Sequence, residues 1–183
     1  MSIMVIWASP NQDGLTANAT RQIITGIQVC DQEVNEVHLN HLDMKRCLAC
    51  GNGWGKCQSE GKCMLPDAFQ SIYEQMVKAD GIVFVTPVYW HDMAENLKSF
   101  LDRLRRCETA YNHYLKGKPC LLVACAGGSG LGAIPCLDKL EQTLDHMKME
   151  AIDRLPIIQF NKEYMLPALS EAGTAFARYC IHK

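Results

Sequence analysis

Four cysteines close together in the chain have the clearest capacity for chemistry. Cys47, Cys50, Cys57 and Cys63 follow the spacing C-x2-C-x6-C-x5-C. Four thiolates in so short a segment can surround one soft metal centre, either a [4Fe–4S] cluster or a zinc ion. They can instead be free thiols or include a redox pair, for which the C-x2-C step of Cys47 and Cys50 is suitably spaced. The Cys-rich loop at 47–63 is therefore a candidate metal or redox site, and its residues alone leave these alternatives open.

A polar segment from Ser9 to Asn18 has the composition of an anion-binding turn. It follows a short apolar run and leads into a helical pattern. Free backbone N–H groups and the positive end of a helix dipole favour an anion there, and Ser9 and Thr16 add hydroxyl donors. Because the segment contains no Lys or Arg, it suits one compact monophosphate better than a triphosphate with its metal. The alternative is an ordinary turn whose Ser, Thr and Asn residues cap the helix.

Two adjacent aromatic residues stand at the end of another apolar run, in the segment Thr86-Pro87-Val88-Tyr89-Trp90. Such rings can line a planar ligand over a backbone that Pro87 stiffens. The alternative is aromatic packing against a neighbouring helix or a partner subunit. The next residue, His91, is a candidate proton donor, although a capping or surface role is commoner for a histidine.

A glycine-rich segment closes the strongest apolar run, and it reads Ala126-Gly127-Gly128-Ser129-Gly130-Leu131-Gly132. So many glycines let a backbone approach a ligand closely, and their amides can donate to it. The alternative is a loose turn before a helix.

Alternating strands and helices must position these segments. Apolar runs predict strands at 3–8, 34–39, 82–85, 120–126 and 151–158, with helical patterns between them. Pro66 is expected at a helix start. Five strands separated by about five helices predict one doubly wound parallel sheet in a single domain, residues 1–183. Ligands of such sheets bind beyond the carboxyl ends of the strands, so the three polar segments are expected to converge there.

Composition and missing motifs exclude several function classes. The formal charge of −2 gives no reason to expect nucleic acid or an anionic membrane as partner. No segment has the length of a membrane span and the first residues lack the features of an export signal, so a cytoplasmic location is expected. The motifs of P-loop NTPases and of dinucleotide-binding folds are absent. The other six cysteines lie in apolar segments and are expected to be buried hydrophobes.

Several of these motifs together resemble one known family. Thr86-Pro87-Val88-Tyr89-Trp90, followed by Leu97-Lys98 and Leu101-Asp102-Arg103, is similar to the signature of NADPH-dependent FMN reductases, and Ser9-Pro10 with Gly14-Leu15-Thr16 agrees with it. A cysteine loop after strand two is typical of the iron–sulfur flavoprotein branch, although that branch has a tighter spacing. The resemblance implies an α/β flavodoxin-like fold: a doubly wound five-stranded parallel sheet of order 2-1-3-4-5, with helices on both faces.

The resemblance implies FMN as cofactor and NAD(P)H as co-substrate. The FMN phosphate is expected in the first turn, the ring edge on the aromatic segment and the pyrimidine end at the glycine segment. These cofactor-binding residues are Ser9, Asn11, Gly14, Leu15, Thr16, Thr86, Pro87, Val88, Tyr89, Trp90, Ala126, Gly127, Gly128 and Ser129. No indispensable acid–base side chain is expected, because the cofactor carries the redox chemistry.

The expected function is an FMN-dependent oxidoreductase that passes reducing equivalents from NAD(P)H through FMN to a small-molecule or protein acceptor. An alternative is an electron-transfer iron–sulfur flavoprotein, with FMN and a [4Fe–4S] cluster, that serves a ferredoxin-like partner. A third hypothesis is a binding module without flavin, in which the cysteines hold a structural zinc. The resemblance also implies a homodimer or homotetramer.

Overall fold

Five parallel strands form the centre of the molecule, and the side chains of the three inner strands are mostly apolar on both faces. The computed structural model describes residues 2–183. The three central strands are almost wholly buried, whereas the two outer ones are partly exposed. The strands are β1 (Ser2–Trp7), β2 (Glu33–His38), β3 (Gly81–Tyr89), a two-residue β4 (Asp92–Met93), β5 (Pro119–Ala126) and β6 (Glu150–Ile158).

Helices cover both faces of this sheet. They are α1 (Leu15–Gln28), the short α2 (Lys56–Ser59), α3 (Phe69–Lys78), α4 (Glu95–Thr109), α5 (Ala133–Asp145) and α6 (Lys162–His182), and a 3-10 turn (Leu39–His41) follows β2. One core packs α1 and α6 against the sheet around Ile23 and Phe176. The other packs α3, α4 and α5 against the opposite face around Phe69, Phe100 and Leu140.

The strand order is β2-β1-β3-β5-β6, and β4 pairs only with β3. All neighbouring pairs along the main path are parallel. Because β4 is a two-residue antiparallel hairpin strand, the five parallel strands have the expected order 2-1-3-4-5. The predicted flavodoxin-like class is thus confirmed.

Two local boundaries differ from the sequence-based expectation. β3 continues to Tyr89, because Thr86 and Pro87 pair in register with Ala124 and Cys125 of β5. The expected loop is therefore mostly strand. The helix expected to start at Pro66 begins at Phe69, whose N–H group donates to Asp67 Oδ1 at 3.1 Å.

Candidate functional site

The structure brings the three polar segments to one edge of the sheet. β1, β3 and β5 are consecutive neighbours, and their carboxyl ends lie side by side. The N–H of Ala8, just after β1, donates to the Val85 carbonyl of β3 at 3.1 Å. A Cβ on Gly132, after β5, would lie 2.8 Å from Val88 Cγ1 of β3. Segments 9–16, 86–90 and 126–129 therefore lie at one edge of the sheet, and that these residues bind a cofactor stays a prediction.

The first turn leaves the start of α1 free of side-chain caps. Asn11 donates its N–H to Ser9 Oγ at 3.2 Å, and Asn11 Oδ1 accepts the N–H of Asp13 at 3.1 Å. The N-cap position is Gly14, and no side chain accepts a hydrogen bond from the first turn of the helix. The capping alternative is thus not realised, and the first-turn N–H groups at the positive end of α1 remain available to an anion.

Thr16 is a buried residue of this turn. It is only 4% exposed, and its side chain lies beside the Cys125 thiol near the end of β5. Burial raises the pKa of Cys125 to about 12, so this thiol is neutral at physiological pH. Thr16 therefore lies where the first turn meets the strand that leads into the glycine segment.

Arg21 is a cation near the first turn that sequence reasoning missed. It follows the turn by more than one turn of α1, and its guanidinium folds back so that Nη1 donates to the Gln12 carbonyl at 3.1 Å. Nη2 donates to Asn18 Oδ1 at 2.5 Å. The signal was present, because residues three or four positions apart on a helix are neighbours.

The end of β3 divides into a buried part and an exposed part. The hydroxyl of Thr86 is fully buried, accepts the N–H of Ala94 at 3.0 Å and donates to the Pro87 carbonyl at 3.0 Å. Thr86 and Pro87 thus support the strand end. Tyr89 and Trp90 project from it, with exposures of 45% and 96%. Trp90 does not pack against a helix of this chain, and its contact with a ligand or a partner subunit stays a prediction.

A tight hairpin holds Trp90 in this position. Tyr89 pairs with Asp92, and the two residues between them, Trp90 and His91, have φ angles of +50° and +64°. A left-handed conformation at a non-glycine residue costs about 1 kcal/mol or more. Lys139 Nζ of α5 braces the turn by donating to the His91 carbonyl at 3.1 Å and to Asp92 Oδ2 at 2.9 Å.

The glycine segment leaves space beside the hairpin. A Cβ on Gly127 or Gly128 would have no neighbouring atom within 4 Å, so packing within the described chain does not require glycine there. The Gly127 carbonyl accepts a hydrogen bond from Gln159 Nε2 at 3.0 Å. Ala126 is buried at the strand end, whereas Ser129 is exposed. The segment is anchored on one side and open on the other.

A histidine pair beside the first turn was also missed. The His38 ring stacks on Trp7, with centroids 3.6 Å apart and planes 5° apart, and the His41 ring lies 3.9 Å from that of His38. His38 Nε2 bonds the Ser9 carbonyl at 2.7 Å, and His41 Nε2 lies 2.7 Å from Gln12 Nε2. The position of His38 at the end of the second predicted strand could have indicated this contact.

The four loop cysteines line a single small cavity. Cys47, Cys50, Cys57 and Cys63 surround a space of about 20 Å³ together with side chains of α4, among them Cys107. Each of the four is half-buried, and all ten cysteines are free. Of the other six, five are buried as expected, and Cys30 is half-buried. Burial raises the pKa of Cys107 to about 12.

The cavity contains the thiols of a metal site, but these thiols are not placed as the ligands of one metal ion. Within residues 2–183, no group of three or more His, Cys, Asp or Glu side chains is placed to hold a metal ion. A space of about 20 Å³ accommodates roughly one water-sized atom. The donor chemistry therefore suits a soft metal, but the thiols as placed do not fit a four-iron cluster.

A buried ion pair anchors this loop to α4. Arg103 donates to both oxygens of Asp67 at 2.7 and 2.9 Å, to the Lys45 carbonyl at 2.7 Å and to Cys63 Sγ at 3.2 Å. Burial by itself would raise the pKa of Asp67, but hydrogen bonds from Arg103 and from backbone N–H groups bring it below its usual value. The guanidinium also lies 4.2 Å from the Phe69 ring centroid.

Comparison with known proteins decides the family. Residues 1–162 match the family described as NADPH-dependent FMN reductase. The chain belongs to this family. Among curated members it is 30% identical over 105 residues to an iron–sulfur flavoprotein of Methanocaldococcus jannaschii, which covers 57% of this chain and 52% of that protein. It is 29% identical over 126 residues to one of Clostridioides difficile, covering 67% and 53%. The chain thus spans about half the length of these relatives.

Solved structures show the fold of the family. RosB with a bound riboflavin-phosphate intermediate has a TM-score of 0.77 at 11% identity, covering 100% of this chain and 81% of that one. An apo NADH:FMN oxidoreductase, EMOB, has a TM-score of 0.69 at 22% identity, covering 97% and 89%. An archaeal flavodoxin has a TM-score of 0.68 at 16% identity over the full length of both chains. None of the helices described for residues 2–183 is long and apolar enough to span a membrane.

Proposed function

We propose that this protein is an oxidoreductase that binds FMN at the sheet edge and passes reducing equivalents from NAD(P)H to an acceptor. One observation carries the proposal. The uncapped start of α1, an exposed aromatic hairpin and an open glycine segment meet at the carboxyl ends of three adjacent strands. Membership of the FMN reductase family supports the choice of ligand.

The first turn fits a phosphate monoester. The N–H groups of Leu15 and Thr16 lie at the positive end of a 14-residue helix and meet no side-chain acceptor. Helix N-termini of this kind bind phosphate through backbone donors. Asn11, Gly14 and the Ser9 hydroxyl shape the turn around that position. Neutral donors suit one phosphate group, as the sequence indicated.

The rest of the edge fits a planar ring. Tyr89 and Trp90 offer aromatic surface, and the exposed backbone of Gly127 and Gly128 offers donors with no side chain in the way. Val88 and Ala126 form the apolar floor at the strand ends. We assign the ring edge to the hairpin and the pyrimidine end to Ala126, Gly127, Gly128 and Ser129.

The protein's part in the reaction is binding and orientation. Bound FMN would supply the hydride and electron chemistry. Next to the aromatic segment the candidate acid is His91, whose carbonyl accepts a hydrogen bond from Lys139 and whose ring is exposed. The aromatic hairpin would orient the nicotinamide or the acceptor against the flavin and would reduce access of water. The acceptor is a small molecule or a protein.

Flavin titration with a parallel turnover assay tests this proposal. Purified protein is stripped of flavin and titrated with FMN, and its oxidation of NADH and NADPH is followed with an added acceptor. We expect flavin fluorescence to be quenched with a single site per chain, and nucleotide oxidation only after FMN is restored. A chain that stays colourless and binds no FMN would overturn the proposal and favour the zinc-binding module.

The alternative is an electron-transfer iron–sulfur flavoprotein serving a ferredoxin-like partner. The common cavity of Cys47, Cys50, Cys57 and Cys63 and the names of the curated relatives support it. The missing three-ligand grouping among residues 2–183 speaks against it, so no step is assigned to a cluster. Iron and acid-labile sulfide in anaerobically purified protein, at about four of each per chain, would establish it over the first proposal.

We also propose a homodimer or homotetramer. Trp90 at 96% exposure and Phe160 at 84% leave apolar surface near the sheet edge for a partner subunit. Sedimentation analysis with and without FMN tests this state, and a monomer under both conditions would contradict it.

A further inference from the structure

We propose that His38 and His41 are positioning residues for the flavin phosphate. They hold the first turn from outside in the shape that leaves its N–H groups free. This rests on the FMN site proposed above and adds residues that lie outside the three binding segments. Their role is to fix the turn before the ligand arrives, so that less order must be gained on binding.

The two histidines contact the turn at two points, Ser9 and Gln12. His38 lies at the carboxyl end of β2, which is paired with β1 up to Trp7. Its Nε2–H donates to the Ser9 carbonyl at 2.7 Å, at the first residue of the turn. His41 lies in the following 3-10 turn and contacts the Gln12 side chain at 2.7 Å. Gln12 is also held through its carbonyl by Arg21.

These contacts define the hydrogen-bonding role of one nitrogen in each ring. A carbonyl can only accept, so His38 carries its proton on Nε2. The Gln12 amide nitrogen can only donate, so His41 Nε2 must be the acceptor. Burial lowers the pKa of His38 below its usual value, which keeps this ring neutral near pH 7. The stack on Trp7 fixes the ring plane.

Three other charged side chains lie near His38 and His41. Glu36 of β2 faces His38 and accepts the Trp7 Nε1–H at 2.9 Å. Arg21 of α1 lies on Gln12, and Asp13 is in the turn itself. His38 and His41 face each other, so charging both rings 3.9 Å apart is unfavourable.

The turn needs such support because its own residues make few hydrogen bonds that fix its conformation. Its internal side-chain hydrogen bonds are local ones among Ser9, Asn11, Asp13 and Asn18, none of which connects it to another element of the sheet. It contains no Lys or Arg. A phosphate held by neutral backbone donors depends on having those donors already aimed, since each misaligned N–H loses most of its hydrogen-bond energy.

Comparing the binding of FMN with that of riboflavin isolates the contribution of the phosphate group to affinity, because the two flavins differ only in that group. Dissociation constants of both flavins are measured by fluorescence quenching at pH 7.5 for wild type, His38→Phe, His41→Phe and His41→Gln. His38→Phe keeps the ring stack on Trp7 and removes the donor, whereas His41→Gln keeps an acceptor for Gln12. We expect about tenfold weaker FMN binding for both Phe variants, less than twofold change for riboflavin, and FMN binding near wild type for His41→Gln.

Exposed His146, at the end of α5, provides the matched control. His146→Phe is expected to leave both flavins unaffected.

The outcomes separate the two proposals. A wild type that binds neither flavin overturns the proposed function and this inference with it. A wild type that binds FMN, with variants that lose FMN and riboflavin equally or lose neither, leaves the function standing and overturns the positioning role. If either Phe variant fails to fold by circular dichroism, the corresponding Leu variant takes its place in the comparison of FMN with riboflavin, with the same expected result.

Discussion

Thr16 shows how one side chain can serve both the turn and the sheet. Its backbone N–H lies at the uncapped start of α1, and its buried hydroxyl reaches Cys125 at the end of β5. The sequence indicated a hydroxyl that faces a phosphate. The structure places that hydroxyl on the inner side of the turn, where it joins two of the three segments that must stay aligned.

We expect Thr16→Val to weaken FMN binding by about tenfold, because the turn loses a polar contact worth roughly 1.5 kcal/mol at its base. Thr20→Val is the control. Its buried hydroxyl donates to the Thr16 carbonyl at 2.9 Å within α1 and should affect stability but not affinity. Equal affinities of the wild type and Thr16→Val in a fluorescence titration would refute the phosphate assignment.

The hairpin residues Trp90 and His91 store backbone strain at the proposed site. An Asn-Gly pair adopts this left-handed turn at much lower cost. We expect the double variant Trp90→Asn/His91→Gly to raise the free energy of unfolding by about 1–2 kcal/mol in urea. The same variant should bind FMN more weakly, because the exposed ring is gone. A loss of stability together with unchanged FMN affinity would contradict both parts.

At the scale of elements, α4 connects the sheet to the cysteine loop. Its inner face packs on the core through Leu97, Phe100 and Leu104, and Arg103 reaches from the same helix into the loop. The side chains of Arg103 and Asp67 are only 1% and 0% exposed. Removing one partner of such a pair leaves an uncompensated buried charge.

We expect Arg103→Met to lower the free energy of unfolding by about 3–5 kcal/mol, measured by urea denaturation. The double variant Arg103→Met/Asp67→Asn should recover part of that loss, since no lone carboxylate is then buried. The exposed pair Lys98–Asp102 in the same helix provides the control. Lys98→Ala should cost about 0.5 kcal/mol or less. If both arginine and lysine variants cost the same, Arg103 does not anchor the loop.

At the scale of the whole molecule, burial divides the ten cysteines into two groups. Cys107, Cys120, Cys125, Cys136 and Cys180 are buried, whereas Cys30 and the four loop cysteines are half-buried. Burial raises the pKa of Cys136 to about 12, which holds it as an unreactive thiol.

Native protein treated with iodoacetamide at pH 8 should therefore be modified mainly at residues 30, 47, 50, 57 and 63, and peptide mass spectrometry would locate the labels. In urea all ten thiols should react. Rapid native labelling of Cys120 or Cys125 would show that the central strand β5 opens far more readily than its burial indicates.

The sequence was sufficient for the layout of the molecule. Fully apolar runs at 82–85 and 120–126 identify central parallel strands because few other segments tolerate burial on both faces. It was insufficient where residues distant in the chain meet. Nothing local links Gln12 to His41 or Asp67 to Arg103. The exposure of Trp90 likewise depends on a two-residue turn that β-turn preferences would not assign to Trp and His.

The cysteine loop contributes no strand to the sheet: it leaves after β2, returns at α3 and is held mainly by arginines on α4. We expect that this connection between β2 and α3 can be lengthened, shortened or exchanged without moving the ends of the strands. The cysteines of this loop can therefore be substituted without changing the residues proposed to bind the flavin. A loop taken from another family member and inserted between β2 and α3 would be supported by the same sheet and the same α4 arginines.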